Sequence, residues 1–332
     1  MYKRTRNLFA LCLTFVMLFT TVAFQNVNAA STILQGPDRY ATALKIVQAG
    51  WTKSDNVIIA RGDDLADALA AAPLAYAKGK APILLTKPGE LPTGVLAQLR
   101  TMGVKNVYIV GGTGAVTKAV ADELAKAGLT ITRIAGIDRF ETSLKIAKAA
   151  FATTPSKVVI ANGLAYADAL SVSSIAAAKG MPILLVRNSE LTAEQKSYIG
   201  NKSVYAVGGT GVLNATLVSV ANATRLGGLD RYETNAAILT QFKPDYSKIY
   251  LAKGTDRNLV DALAGSVLAA KTNSPIVLVD GNSNISASLV TVLKANITAN
   301  KEVIRLGGTV LKVAADAVEA LRPLPLQVVS IE

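Results

Sequence analysis

The stretch Gly36-Pro37-Asp38-Arg39-Tyr40-Ala41-Thr42 returns as Gly136-Ile137-Asp138-Arg139-Phe140-Glu141-Thr142 and again as Gly228-Leu229-Asp230-Arg231-Tyr232-Glu233-Thr234. Self-similarity at that spacing makes the chain three related folding units, and whatever one copy does the chain is expected to do in triplicate. With 332 residues, 51% of them hydrophobic, there is material for three cores of roughly 100 residues each. Boundaries fall near Ala135 and Gly227, giving units 30–134, 135–226 and 227–332 behind a leader at 1–29. No Pro- or Ser-rich linker separates them, so the units are expected to pack against one another.

Within each unit the pattern alternates between helical and strand periods. An amphipathic helix follows each signature, with Tyr40, Leu44, Val47 and Trp51 on one face of the first. Short branched runs then read as buried strands: Val57 to Ala60, Val158 to Ala161 and Ile249 to Ala252. An Ala-rich helix carries Asp67, Asp168 or Asp261 in its middle. A second strand (Ile83-Leu84-Leu85, Ile183-Leu184-Leu185, Ile276-Val277-Leu278) opens on a proline, where a missing N–H is tolerated. A third strand ends in Gly-Gly-Thr at 111–113, 208–210 and 307–309. Strands alternating with helices so regularly predict an α/β fold: three tandem modules, each a mainly parallel sheet between helices. A further short strand precedes each signature (Thr32 to Leu34, Thr130 to Ile134, Ala223 to Leu226), and Leu326 to Ile331 adds a fourth. Either one of these is an extra edge or the two ends of the chain meet.

The leader has a basic head (Lys3, Arg4, Arg6), an apolar run from Leu8 to Ala23 and a small-x-small site ending at Ala29, the pattern of a secretory signal. An uncleaved anchor helix is the alternative. Removing it removes Cys12, the one cysteine, and the chain has no histidine. Disulfides, cysteine catalysis, Ser-His-Asp triads and ordinary zinc sites are thereby excluded from the mature chain. No metal, no cofactor and no catalytic group is expected. The net charge of +12 becomes +9 once the leader's three bases are set aside, which favours anionic partners. Outside a cell these are wall polymers or lipid headgroups rather than nucleic acid, and after cleavage no apolar run remains that could insert stably in a membrane. Leu91-Pro92-Thr93-Gly94 lies mid-chain without an apolar tail and reads as a loop opening a helix rather than a sorting signal.

Asp38, Asp138 and Asp230 read as helix N-caps, and Glu141 and Glu233 three residues later complete a capping-box pattern. Arg39, Arg139 and Arg231 are harder to place, because a cation in the first turn opposes the helix dipole by about 0.3–1 kcal/mol. Two partners compete for each guanidinium: the carboxylate of Asp67, Asp168 or Asp261, or an anionic ligand. Arg61 and Lys253, after the first strand, and Lys87 and Arg187, after the second, stand where ligands gather in open α/β sheets, although solvated loops account for each singly. Asp280 takes the corresponding place in the third copy, which suggests different or weaker binding there. Gly111-Gly112-Thr113-Gly114 is nearly a dinucleotide loop, but a tight strand-to-helix turn explains it better.

Gly-x-Asp-Arg-Tyr/Phe-x-Thr, Ala-Asp-Ala-Leu, Pro-Ile-Leu-Leu and Val-Gly-Gly-Thr, recurring three times in that order behind a signal peptide, resemble the clostridial cell-wall-binding repeat 2 family. Departures are small: Ala41 for Glu, Val260 for Ala, and Pro-Ile-Val-Leu in the third copy. The resemblance implies Toprim-like modules packed as a pseudo-trimer that hold an exported protein on an anionic, teichoic-acid-like secondary polymer of a Gram-positive wall. It implicates the Ile-Leu-Leu segments, including Leu84, Leu85, Leu184 and Leu185, in anchoring. Because only about ten residues follow Leu321, the chain reads as a free-standing wall-binding unit at the cell surface rather than an enzyme. Two alternatives remain: a metal-dependent phosphotransfer enzyme on a Toprim-like scaffold, and a surface-layer or autolysin-modulating scaffold that binds proteins.

Overall fold

A computed structural model describes residues 31–151, 155–255 and 259–321. The expected signal peptide and the expected last strand, Leu326 to Ile331, lie outside these residues. The described chain opens with β1 (Thr32–Leu34), which joins none of the strands nearest to it in sequence. In the first unit α1 (Arg39–Gly50), β2 (Asn56–Arg61), α2 (Ala71–Ala77), β3 (Ile83–Thr86), α3 (Val95–Met102), β4 (Asn106–Val110), α4 (Lys118–Lys126) and β5 (Thr130–Ile134) form a parallel sheet of order β3-β2-β4-β5 and its covering helices.

The second unit repeats this with α5 (Arg139–Ala150), β6 (Lys157–Asn162), α6 (Tyr166–Ser171), α7 (Ser173–Ala178), β7 (Ile183–Val186), α8 (Ala193–Ile199), β8 (Ser203–Val207), α9 (Ala215–Val220) and β9 (Ala223–Leu226), in the order β7-β6-β8-β9. The third contains α10 (Arg231–Phe242), β10 (Lys248–Lys253), α11 (Leu259–Ala270), β11 (Ile276–Val279), α12 (Ala287–Asn296), β12 (Glu302–Leu306) and α13 (Lys312–Ala320). Its sheet takes β1 as the fourth strand, with Thr32 opposite Ile304 and Leu34 opposite Leu306. The opening strand of the chain therefore closes the last sheet.

Sheets covered on both faces call for strands that are apolar throughout. Every residue of β3, β7 and β11 is buried accordingly. Leu84, Leu85, Leu184 and Leu185 are at most 1% exposed, so the Ile-Leu-Leu segments build the cores.

The Ala-rich helices α2, α7 and α11 meet one another at the centre of the assembly. Small side chains such as Ala71, Ala72, Ala176, Ala177, Ala264 and Ala269 keep these buried faces thin. Around this centre the packing is cyclic: α2 lies on α5, α6 on α10 and α11 on α1. Polar ties that cross between units include Ser174 Oγ to the Ser274 carbonyl at 3.2 Å and Lys271 Nζ to the Gly50 carbonyl, with Lys271 also 4.7 Å from the Trp51 ring centroid.

One expectation needs correction. Asp67, Asp168 and Asp261 do not sit in mid-helix: Asp67 lies in the turn before α2, and Asp168 and Asp261 lie in the first turns of α6 and α11. A carboxylate there meets the positive end of the helix dipole instead of opposing its interior.

Candidate anion-binding crevices

Each signature is a tight entry into its helix. Asp38 accepts from Ala41 N at 2.8 Å, Asp138 from Phe140 N and Glu141 N at 3.0 and 2.9 Å, and Asp230 from Tyr232 N and Glu233 N at 2.8 Å each. The glutamates reach one residue further back than an ordinary capping box, Glu141 accepting from Ile137 N at 2.7 Å and Glu233 from Leu229 N at 2.8 Å. Buried Thr42, Thr142 and Thr234 hydroxyls receive the N–H of Gly36, Gly136 and Gly228 at 3.0, 3.0 and 3.3 Å.

The arginines find a partner that sequence reading did not consider. Arg39 Nη1 donates to the Gly62 carbonyl at 2.7 Å, Arg139 Nη1 to the Gly163 carbonyl at 2.9 Å, and Arg231 Nη1 to the Gly254 carbonyl. These carbonyls follow β2, β6 and β10. The position must be glycine because an added Cβ would stand 2.7 Å from the Tyr40 ring, 2.8 Å from the Phe140 ring or 2.8 Å from the Tyr232 ring. Each arginine is thus tied to the strand end of its own unit. Among the described residues no ion pair joins Arg39 or Arg139 to a carboxylate.

Two of the second set of carboxylates, Asp168 and Asp261, face the neighbouring unit. Asp168 accepts a hydrogen bond from Thr234 and lies in the field of Arg231, both of the third unit; burial nevertheless pushes it up to about 6. Asp261, in the third unit, is pushed up to about 6 by burial, against which Arg39 of the first unit acts. The first glycine of each Gly-Gly-Thr turns over these carboxylates with φ of +105° at Gly111, +131° at Gly208 and +84° at Gly307. A Cβ there would come within 2.8, 3.0 and 1.9 Å of the Asp67, Asp168 and Asp261 Oδ2 atoms. The N–H of this glycine is spent inside the sheet, on Ile134, Leu226 and Leu34 carbonyls, so the turn is a packing device before it is an anion cradle.

Between the second and third units these parts line a cavity of about 820 Å³. Arg139 and Arg231 both face it, together with Tyr166, Asp168, Asp230 and the Gly209-Thr210-Gly211 turn. Two exposed aliphatics, Leu164 and Leu229, form its apolar wall.

The four strand-end bases lie outside that cavity lining. Arg61 is held by Asp63 at 2.7 and 3.0 Å, and Lys87 by Glu90. Arg187 lies 3.5 Å from both Asp138 and Glu190 and stacks 4.5 Å from the Phe140 centroid. Lys253 is buried and donates to the Gly281 carbonyl. Asp280 closes its own loop, accepting from Asn282 N at 2.8 Å and Asn284 N at 2.7 Å.

A second set of arginines escaped sequence reading. Arg133 binds the Gly111 carbonyl and Arg225 the Gly208 carbonyl, each at 2.8 Å, from the strand before the signature. In the third sheet the arginine changes strand: Arg305 of β12 stands opposite Ile33 of β1 and donates to the Val310 carbonyl at 3.1 Å. The Thr-Arg-Ile and Thr-Arg-Leu triplets carried that signal. Tyr166, where the other units have Leu65 and Leu259, was the other residue missed.

The family described as cell wall binding domain 2 matches residues 33–121, 133–218 and 225–317. The N-acetylmuramoyl-L-alanine amidase LytC of Bacillus subtilis (strain 168) is 36% identical over 277 residues, which are 82% of this chain and 54% of that protein. The amidase enhancer of the same strain is 32% identical over 267 residues, 79% of this chain and 36% of that one. Among solved structures, Cwp8 from Clostridium difficile superposes with a TM-score of 0.80 at 33% identity, over 87% of this chain and 51% of that chain. Cwp6 from Clostridium difficile gives 0.81 at 31%, over 89% and 48%. The chain spans about half or less of the length of each.

Proposed function

Because the chain belongs to the cell wall binding domain 2 family, we propose that its three modules hold it, without covalent attachment, on an anionic secondary polymer of a Gram-positive wall. The observation that carries this reading is the repeated arginine: each guanidinium is fixed by one N–H to a strand-end carbonyl, and Arg139 and Arg231 turn into a single cavity. A guanidinium carries five N–H donors in a planar fork suited to phosphate or carboxylate, more than one carbonyl can occupy. Three modules on one rigid body raise the effective concentration of each site on a repeating polymer, an avidity gain of roughly 10²–10⁴. Among the described residues no three carboxylates cluster as a metal site would need, and none of their helices is long and apolar enough to cross a membrane. We assign the chain a holding role at the cell surface, with a teichoic-acid-like polymer as its partner and surface-layer proteins as neighbours.

Co-sedimentation with purified walls tests the reading. Binding is expected to weaken as salt rises, because exposed charge pairs are screened. It is expected to vanish when the anionic polymer is stripped from the walls, and undiminished binding to stripped walls overturns the proposal.

A further inference from the structure

The three strand-end crevices differ in chemistry although they share a backbone plan. In the first unit the residues after Gly62 are Asp63 and Asp64; Asp63 pairs with Arg61 and also lies in the field of Arg39. In the second unit the corresponding residues after Gly163 are Leu164 and Ala165, so that unit supplies no strand-end acid of its own to Arg139. Leu164 is 73% exposed and Leu229 97%, an arrangement that buries nothing within the chain yet lines the cavity shared by Arg139 and Arg231. The acids that do face this cavity are already engaged, Asp230 by the Tyr232 and Glu233 amides and Asp168 by the Thr234 hydroxyl.

Tyr166 sharpens the difference. It replaces the buried Leu65 and Leu259 of the other units and is only half-buried, with its ring 5.6 Å from the Arg139 guanidinium. Its hydroxyl accepts from Arg139 Nη1 at 2.9 Å and donates to Asp64 Oδ1 of the first unit at 3.4 Å. Arg139 is thereby held by two oxygens on one nitrogen, Gly163 O and Tyr166 Oη, and its other donors are left for a ligand.

We propose that the crevices are unequal in function, and that the cavity walled by Leu164, Tyr166 and Leu229 around Arg139 is the principal anion subsite. Resting on the wall-binding reading above, this names the ligand fragment: a phosphodiester flanked by a sugar or polyol, whose charge meets the Arg139 fork and whose C–H surface lies on the exposed aliphatic and aromatic wall. Tyr166 is a positioning residue that orients Arg139 without touching the charge itself. Of Arg39 and Arg139, Arg39, with Asp63 in its loop, is the weaker for such a fragment.

The experiment is an exchange of loop residues measured as retention on walls and on poly(glycerol phosphate), with a polycarboxylate such as polygalacturonate as the comparison polymer. Leu164→Asp gives the second unit the acid of the first and is expected to lower retention on poly(glycerol phosphate) at least tenfold, as is Arg139→Ala. The exchanged loop positions Leu164 and Asp63 are exposed, so folding is expected to survive there, and an unchanged melting temperature checks every variant. Asp63→Leu is expected to raise retention or leave it unaltered, and Arg39→Ala to lower it less than threefold. Tyr166→Phe, which keeps the ring and removes the hydroxyl, is expected to weaken binding while leaving the salt dependence intact. Equal losses from Arg39→Ala and Arg139→Ala, or full retention by Leu164→Asp, overturn the inequality while leaving wall binding standing. Retention on polygalacturonate as strong as on the phosphodiester polymer overturns the ligand assignment. Wild-type protein that binds no anionic polymer overturns the wall-binding reading itself.

Discussion

The centre and the rim of the assembly treat the repeat in opposite ways. At the centre α2, α7 and α11 present nearly the same small, buried side chains to one another, since a change in any of them alters two junctions at once. At the rim, a few residues from the invariant tie between Arg39, Arg139 or Arg231 and its strand-end carbonyl, the loops read Asp63-Asp64 in one unit and Leu164-Ala165 in the next. Repetition is tight where the units face each other and loose where they face solvent. Three copies of one scaffold can therefore carry three different surfaces without renegotiating the core.

The contrast can be broken most forcefully from the inside. Leu74 of α2 is fully buried, and Leu74→Ala is expected to destabilise the whole assembly by about 2–5 kcal/mol in a denaturant titration. The same truncation at Leu164, 73% exposed, is expected to stay within about 0.5 kcal/mol. A cost comparable to that of Leu74→Ala at the rim position would erase the distinction.

Gly163→Ala lies between the two regions. Its new methyl meets the Phe140 ring at 2.8 Å and the Arg139 side chain at 3.1 Å, so a loss of about 1–3 kcal/mol is expected, together with weakened wall binding because the arginine is displaced. Thermal melting and co-sedimentation on the same variant read both, and a stable variant with normal binding would detach the arginine's position from the glycine beneath it.

The smallest effect concerns pH. Asp168 and Asp261 stand at about 6 in the folded protein against an ordinary 3.8, so between pH 4 and 6 the folded chain holds protons that the unfolded chain has released. Stability from these two groups is greatest at acid pH and falls as pH rises through that window, by roughly 1 kcal/mol each between pH 5 and pH 7. Asp168→Asn, which mimics the protonated carboxyl, is expected to remove about half of that pH dependence in melting curves at pH 5 and pH 7. An unchanged pH dependence would show that the junction carboxylates do not set it.

Much of the architecture was legible because its causes are periodic. Val57 to Ala60 and Ile83 to Leu85 could be read as buried strands from their unbroken apolar character, and Asp38, Asp138 and Asp230 as caps from their place before a helical stripe. Where each arginine goes was not legible, since its partner is a main-chain carbonyl, which has no side-chain identity to read. Nor could the sequence show that Asp168 meets Thr234 of the next unit, because cyclic packing brings together residues whose separation carries no pattern. The misplacement of Asp67 in mid-helix has a simpler origin: Ala-rich sequence continues the helical pattern through a turn that the backbone makes at Leu65 to Ala70.

The pairing of β1 with β12 also fixes an order of events. Among the described strands β1 is made first and β12 last, so the pairing that completes the third sheet spans more sequence, and carries a larger loop-closure penalty, than any other described pairing. Local pairings such as β2 with β4 can form long before it. Ring closure is thus expected late in folding, and until it occurs the edge of β12 is open to the β1 of another copy. Crowded unfolded chains could exchange that strand and link into dimers or longer arrays, each junction identical to the closed one.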